Sequence, residues 1–374
     1  MRFSLFHNFD AIGRWHEYNQ VVREVVEIAQ LAEQAGFWSI WYPEQHFRLE
    51  GNEAAPNAVM QSTFTAAQTQ TIRIGQAANI ITQWHPLRLA EDLALLDHMS
   101  NGRIEIGIGR GFAFEAINLN RLADVRNQDT NRALFEETLE ILVKAWSHES
   151  FSHHGKFYRY PEPGVKWDYE IPPGAPELVD SDGNIQRLAL TPRPLQRPHP
   201  PLWQPVASPN SLEWAASRGI NAIMWAATLP TLEQRFALYR EKAEAGTGRP
   251  YALGEGIALL RDVYVADTME AAREDSAASI EASYGWILGR GGRHRLLFPG
   301  EKLDQETNLD FDFLFPRKLL LVGNADYVIE CIHELKEHLN LEHLFIWSTH
   351  ATLPHQKILK SIERFAERVM PEFQ

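Results

Sequence analysis

Eight short apolar segments, each followed by an amphipathic helical stretch, limit what this chain can become more than any other feature. The segments cover 2–7, 39–42, 72–81, 103–109, 202–207, 222–226, 257–266 and 344–347. Helical patterns run through 21–35, 58–69, 86–99, 131–146, 211–219, 232–245, 269–287, 325–338 and 356–369. A strand that returns to pair in parallel needs a crossover, and a helix supplies one with its apolar stripe laid on the sheet. Eight such units predict an α/β fold, a TIM (β/α)8 barrel. A doubly wound sheet is the weaker alternative, because nothing resembles a split into two lobes. Local punctuation agrees, with Gly36 closing one helix and Pro86 opening another. Such a barrel takes about 250 residues, and the chain has 374. The excess falls in two irregular insertions, about 148–201 and 288–316, the second holding RGGRHR. Both are expected at the C-terminal rim of a single domain spanning 1–374.

Composition removes several functions. A net charge of −13 argues against nucleic acid and anionic membrane, which both reward basic surfaces. The lone cysteine, Cys331, sits at helical spacing in VIECIHEL, excludes an intramolecular disulfide, and reads as buried filler. The first residues lack the apolar run of a signal peptide, and no stretch reaches the ~18 apolar residues of a membrane span. A soluble, cytoplasmic protein is expected. No metal site is expected: His153 and His154 are adjacent in a loop without an acidic partner at ligand spacing, and H-E-x-x-H is absent. The G-x-S-x-G elbow of serine hydrolases is absent too.

The run LLDHMSNGRIEIGIGRGF, residues 95–112, joins a helix end, a turn at Gly102 and a strand that stops on Arg110. Gly107, Gly109 and Gly111 suggest room for a flat group against the main chain, and Arg110 offers a guanidinium fork to a phosphate. It is not the dinucleotide fingerprint, because position 112 is Phe and the strongest helix precedes the segment. Barrel chemistry sits at strand C-terminal ends. Those positions carry His7, Asn8, Glu44, Gln45, His46, Asn79, Arg110, Ser208, Trp225, Ser348 and His350. Phe6, Trp41, Phe47, Trp84 and Phe112 lie beside them, so an apolar pocket with few polar anchors is expected.

WYPEQHF at 41–47, IGQAANIITQWHPLRLAED at 74–92 and LLDHMSNGRIEIGIGRG at 95–111 resemble the bacterial luciferase-like flavin monooxygenases. NRAL at 131–134, PVASPNSLEWAASRG at 205–219 and the C-terminal VMP extend the resemblance over nearly the whole chain. The resemblance implies a TIM-barrel-like fold, FMN at the strand C-termini, and a homodimer. It places Arg110, Arg132, Ser208 and Ser211 at the flavin phosphate, and a non-proline cis peptide at Ala77 and Ala78. It places Gly109, Phe112, Val206, Ala207 and Met224 around the flavin ring. Light-emitting members carry their catalytic histidine where this chain has Gln45, and a reactive cysteine where it has Gly109. Glutamine is no neutral-pH base, which speaks against aldehyde-oxidising light emission. His46, matching the family's second histidine, and His7 are the acid/base candidates, and Asn79 or Gln45 are candidates to hydrogen-bond the reacting flavin edge.

The implied activity is a two-component monooxygenase. A separate flavin reductase supplies reduced FMN, O2 gives a C4a-peroxyflavin, and one oxygen enters a small apolar organic substrate. The alternatives are an F420-dependent hydride-transfer oxidoreductase and a non-catalytic flavin-binding protein.

Overall fold

The computed structural model describes residues 1–112, 117–288, 292–303, 307–350 and 352–374. The eight expected strands form, as β1 (Arg2–Phe6), β2 (Ser39–Tyr42), β3 (Arg73–Gln76), β4 (Ile104–Gly109), β5 (Leu202–Pro205), β6 (Asn221–Trp225), β7 (Ile257–Val265) and β8 (His343–Trp347). They pair in parallel in chain order, and β8 pairs with β1 in the register Arg2↔His343 to Phe6↔Trp347, which closes the ring. The fold is a TIM barrel of α/β class. Parallel strands covered on both faces read as nearly continuous apolar runs, which is why sequence alone located them.

The chain divides into two compact units. The first comprises 1–78, 105–107 and 201–374, and the second 79–104 and 108–200. In the first unit the barrel interior is filled by Phe6, Trp41, Trp203, Ile223, Ala258, Leu260, Phe345 and Trp347. Trp41 lies 4.9 Å from Phe345 and 5.6 Å from Trp203, ring centre to ring centre. Its indole occupies the space over Gly75, where an added Cβ would come within 2.2 Å of the ring.

A buried polar row borders this aromatic layer. The Trp41 Nε1–H donates to Ser39 Oγ at 2.7 Å, Ser39 Oγ lies 2.6 Å from Ser4 Oγ, and Ser4 Oγ lies 2.7 Å from His343 Nε2. Indole N–H only donates, so the row is satisfied when each serine passes its proton onward and His343 Nε2 accepts. Burial, with the charge of Arg2 adding, pushes the His343 imidazolium down to about 3, consistent with an accepting, neutral ring.

Two expectations change. The third strand was expected as one run over 72–81. It pairs as β3 only to Gln76, turns through a cis Ala77–Ala78 peptide, resumes as Asn79–Ile80 beside Ile108 and Gly109, and enters a 3-10 turn at Ile81–Gln83. Gly107 was expected to leave room for a ligand. Its missing side chain is taken by the chain itself, since a Cβ there would stand 1.7 Å from the Gln76 carbonyl oxygen. A further strand, Leu320–Gly323, was not anticipated. It pairs with Asp262–Val265, the part of β7 beyond its β8 register of Leu259–Asp262.

In the second unit, helix Pro86–Met99 begins on its proline and ends through Asn101 (φ 56°) and Gly102 (φ 76°). Helix Gln128–Ser147 is capped by Asn127, whose side chain accepts the Thr130 N–H at 3.1 Å. From this helix Glu137 gathers the backbone N–H groups of Lys156, Phe157 and Tyr158 at 2.8–3.1 Å, and His153 Nε2 at 3.1 Å. Burial opposes the ionised Glu137, but these donors prevail and hold its carboxyl below the usual range. The insertion at 148–201 is therefore anchored, with His153–His154 and Arg159–Tyr160 forming an antiparallel hairpin. Of RGGRHR, residues 290 and 291 lie outside the described residues, and Arg293–Leu296 form a 3-10 turn. Among the described residues no helix is long and apolar enough to cross a membrane.

Gly107→Ala is expected to destabilise the protein by more than the ~1–3 kcal/mol of ordinary core overpacking, because backbone rather than a side chain must yield; urea unfolding measures it. His343 binds fewer protons folded than unfolded between about pH 3 and its ordinary value of 6.5. Its contribution is therefore full above pH 6.5 and is lost as pH falls through that window. His343→Gln is expected to reduce the stability loss between pH 7 and pH 5 by about 2 kcal/mol in urea titrations.

Candidate active site

The first unit contributes the ends of β1, β2, β5, β6, β7 and β8. After β1, the His7 N–H donates to the Trp41 carbonyl at 2.9 Å, and the buried ring meets Phe9 edge-on at 5.6 Å. Its Nδ1 has no hydrogen-bond partner, and burial, with the charge of His355 adding, pushes the imidazolium down to about 3. His7 is thus neutral over the physiological range.

After β2 the chain bends through Glu44, Gln45 and His46 to Phe47 at φ 58°. His46 Nε2 faces buried Glu44 at 2.9 Å, while Gln45 Oε1 accepts the Arg48 Nη2–H at 2.6 Å. The Gln45 amide oxygen is therefore committed to the loop, leaving its NH2 as the group it can offer. His46 is oriented by a carboxylate, an arrangement that settles which ring nitrogen can face elsewhere.

After β5, Val206 is buried and its N–H donates to the Ile223 carbonyl at 2.9 Å, while Ala207 and Ser208 are exposed. Ser208 caps helix Pro209–Ala216, and Ser208 and Ser211 form a reciprocal capping box. Two hydroxyls thus stand at an accessible helix N-terminus, where the helix dipole favours an anion. Met224 is wholly buried in β6, alternating with the interior-facing Ile223 and Trp225, so strand geometry sends it to the opposite face. Ala77 and Ala78 form the expected cis peptide, with Ala78 buried and Ala77 packed against the barrel interior.

A cluster that sequence reading did not assemble lies where β6 and β8 end beside Asp262 of β7. Asp262 Oδ2 accepts the Tyr284 O–H at 2.7 Å and the Trp225 Nε1–H at 3.4 Å, and its Oδ1 lies 3.7 Å from His350 Nδ1. Burial pushes the Asp262 carboxyl up to about 6 and raises the Tyr284 phenol well above its usual value. The available signal was the charged pair Arg261–Asp262 inside the apolar strand IALLRDVYV. Arg261 is buried and donates from Nη2 to the Ala227 carbonyl at 2.7 Å. His350 had appeared only as a strand-end residue.

The second unit carries Asn79, Gly109, Arg110, Phe112 and Arg132. Asn79 is fully buried, and Phe112 is exposed. The Arg110 carbonyl is held by Thr82 Oγ1–H at 3.1 Å and Asn131 Nδ2–H at 3.4 Å, and its Nη1 donates to Gln128 Oε1 at 3.2 Å. Burial first, then the like charge of Arg132, lowers the Arg110 guanidinium from its ordinary value. Arg110 and Arg132 thus stand near the start of helix Gln128–Ser147, where the helix dipole favours an anion, with the carboxylate of Glu136 partly offsetting their charge. Among the described residues no cluster of His, Cys, Asp and Glu could hold a metal ion.

The profile of the luciferase-like monooxygenases matches residues 1–340. The oxygenase component of a flavin-dependent trigonelline monooxygenase from Acinetobacter baylyi is 27% identical, over 100% of this chain and 96% of its own length. The oxygenating constituent of 3,6-diketocamphane monooxygenase from Pseudomonas putida, a type II Baeyer-Villiger monooxygenase solved with FMN, shares the fold at TM-score 0.79. It is 24% identical and is matched over 100% of this chain and 99% of that one. An F420-dependent secondary alcohol dehydrogenase also shares the fold, at TM-score 0.67 and 14% identity over 99% and 98% of the two chains. The profile match over residues 1–340 establishes that this chain belongs to the luciferase-like monooxygenase family.

Proposed function

We propose that the chain is the oxygenase component of a two-component monooxygenase. In this reading it takes reduced FMN from a separate flavin reductase, uses O2 to oxygenate a small organic substrate, and works as a homodimer. The observation that carries it is the placement of Arg110 and Arg132 at a helix N-terminus, with Arg110 Nη1 donating to Gln128 Oε1 in that helix's first turn at 3.2 Å. The family and the flavin-dependent relatives support it.

The donor set fits a flavin mononucleotide. Each unit by itself offers groups suited to a phosphate: the second offers the charges of Arg110 and Arg132, and the first offers the Ser208 and Ser211 hydroxyls at a helix N-terminus. Gly109, Phe112, Val206, Ala207 and the Ala77–Ala78 peptide are the proposed neighbours of the ring; Met224, buried on the face of β6 opposite the barrel interior, is not among them. When bound, reduced FMN supplies the electrons with which one atom of O2 is transferred to the substrate and the other leaves as water. The chain's own tasks are to bind, orient and exclude water. His46, fixed by Glu44, and neutral His7 are the proposed proton-handling groups, with the amides of Gln45 and Asn79 as hydrogen-bonding groups.

Arg110→Ala and Arg132→Ala are each expected to weaken FMN binding at least tenfold, about 1.4 kcal/mol, while riboflavin, which lacks the phosphate, binds all three proteins alike. Equal losses for both flavins would remove the phosphate assignment. Mixing protein that holds reduced FMN with oxygenated buffer in a stopped-flow cell is expected to give reoxidation in two resolved phases, slower than free flavin. Reoxidation at the free-flavin rate, together with tight F420 binding, would replace this reading with hydride transfer.

A further inference from the structure

At the end of the barrel away from the strand C-termini lies a cavity of about 720 Å³ that the proposed flavin groups do not line. Arg2, Arg73, Asn221, Ile257 and His343, the first residues of β1, β3, β6, β7 and β8, all line it, so it is the N-terminal mouth of the barrel. Every lining residue belongs to the first unit. Chemistry in this fold sits at the other end. A space of this size nevertheless falls in the range that holds small organic ligands, ~300–1,000 Å³.

Two donors in the wall lack a protein acceptor. His343 Nε2 accepts from Ser4 Oγ at 2.7 Å, at the end of the row that begins on the Trp41 indole. A neutral imidazole whose Nε2 accepts carries its proton on Nδ1. Among the described residues no group accepts that Nδ1–H; His343 lines the cavity, and Nδ1 is not closed off from it. Arg2 is the second donor. Its guanidinium lies 4.3 Å from the centre of the Trp38 ring, which steadies the planar fork, and among the described residues it has no carboxylate partner. Arg73, by contrast, is paired with Glu105 at 2.6 Å. Arg2 is near enough to His343 for its charge to help lower the imidazolium, so fork and imidazole share one part of the wall.

The remaining charges decide what the wall favours. Of the lining carboxylates, Glu105 is paired with Arg73 and Glu255 with Arg249, at 2.6 and 2.7 Å. The Met1 amine donates to the Phe373 carbonyl at 3.0 Å. That leaves exposed Glu342 against Arg2 and Lys336, an excess of positive charge too small for a dianion.

We propose that this mouth binds a small organic monocarboxylate, its carboxylate taken by the Arg2 fork and the His343 Nδ1–H, its apolar body lying against Trp38, Ile257 and Leu341. It is not a substrate site, since none of the proposed proton-handling groups lines it. An anion on Nδ1–H also holds the tautomer that the Ser4–Ser39–Trp41 row requires. The inference does not depend on the monooxygenase reading.

The probe is benzoate, with benzamide as its uncharged counterpart, and equilibrium dialysis against the full chain reads binding. Benzoate is expected to bind at one equivalent, and benzamide at least about tenfold more weakly. Arg2→Gln is expected to weaken benzoate at least about tenfold and Arg2→Lys to recover part of the loss, while Arg110→Ala leaves it unchanged. In protein labelled with 15N-histidine, the His343 signals are assigned by their loss in His343→Gln. They are expected to show Nδ1 protonated and to shift with benzoate. Absence of saturable benzoate binding, equal binding of benzamide, or a loss that follows Arg110→Ala instead of Arg2→Gln would overturn the proposal. A His343 ring protonated at Nε2 would do the same.

Discussion

The Trp41 indole is the interaction on which the rest of the structure leans. It fills the middle of the barrel against Phe345 and Trp203, and it lies over bare backbone at Gly75. Its N–H begins the Ser39–Ser4–His343 row, so the same side chain anchors both the apolar layer and its polar border. An interior packed to this degree leaves the strand spacing little freedom. The positions at which β1, β2, β5, β6 and β8 end follow from that spacing, and these ends carry His7, Glu44, Ser208, Trp225 and His350, with Asp262 of β7 beside them. Gly107 extends the same logic by admitting the Gln76 carbonyl just before the chain turns through Ala77 and Ala78.

Electrostatic environment, rather than residue type, separates the histidines. His46 is paired with a buried carboxylate, His343 accepts from a serine, His153 is locked to Glu137, His350 has Asp262 at 3.7 Å, and His7 is buried with its Nδ1 unpartnered. In sequence, the adjacent pair His153–His154 showed no acidic partner at ligand spacing. The structure spends His153 on anchoring a hairpin, a role that depends on Glu137 arriving from a helix 16 residues away in sequence. The arginines divide in the same way. Arg261 is buried and capped by a backbone carbonyl, whereas Arg110 stands beside a like charge.

Much of the architecture was legible because its signals are local. All eight barrel strands were located from apolar runs, and Gly36, Pro86 and Gly102 marked helix ends through backbone preferences that need no tertiary partner. The strand Leu320–Gly323 escaped notice because its existence depends on a vacant edge of β7, which no local pattern records. The interruption of the third strand was not visible in its periodicity and was expected only through family resemblance. Gly107 looked like space for a ligand because a glycine states that something comes close, not what does.

By itself, then, the sequence determined the order and type of the elements, the closed parallel barrel and the family, since periodicity, punctuation and motif spacing are properties of the chain taken in order. It also marked Arg110, Arg132, Ser208, Ser211, Gln45 and His46 as groups of interest. Tertiary structure alone decided what those groups face: Gln45 committed to Arg48, His46 to Glu44, Met224 turned from the barrel interior, and Asp262, Tyr284 and His350 gathered from a strand, a helix and a loop far apart in sequence. The reason is physical. Hydrogen bonds and pKa shifts depend on distance and burial, and neither exists until the ring has closed.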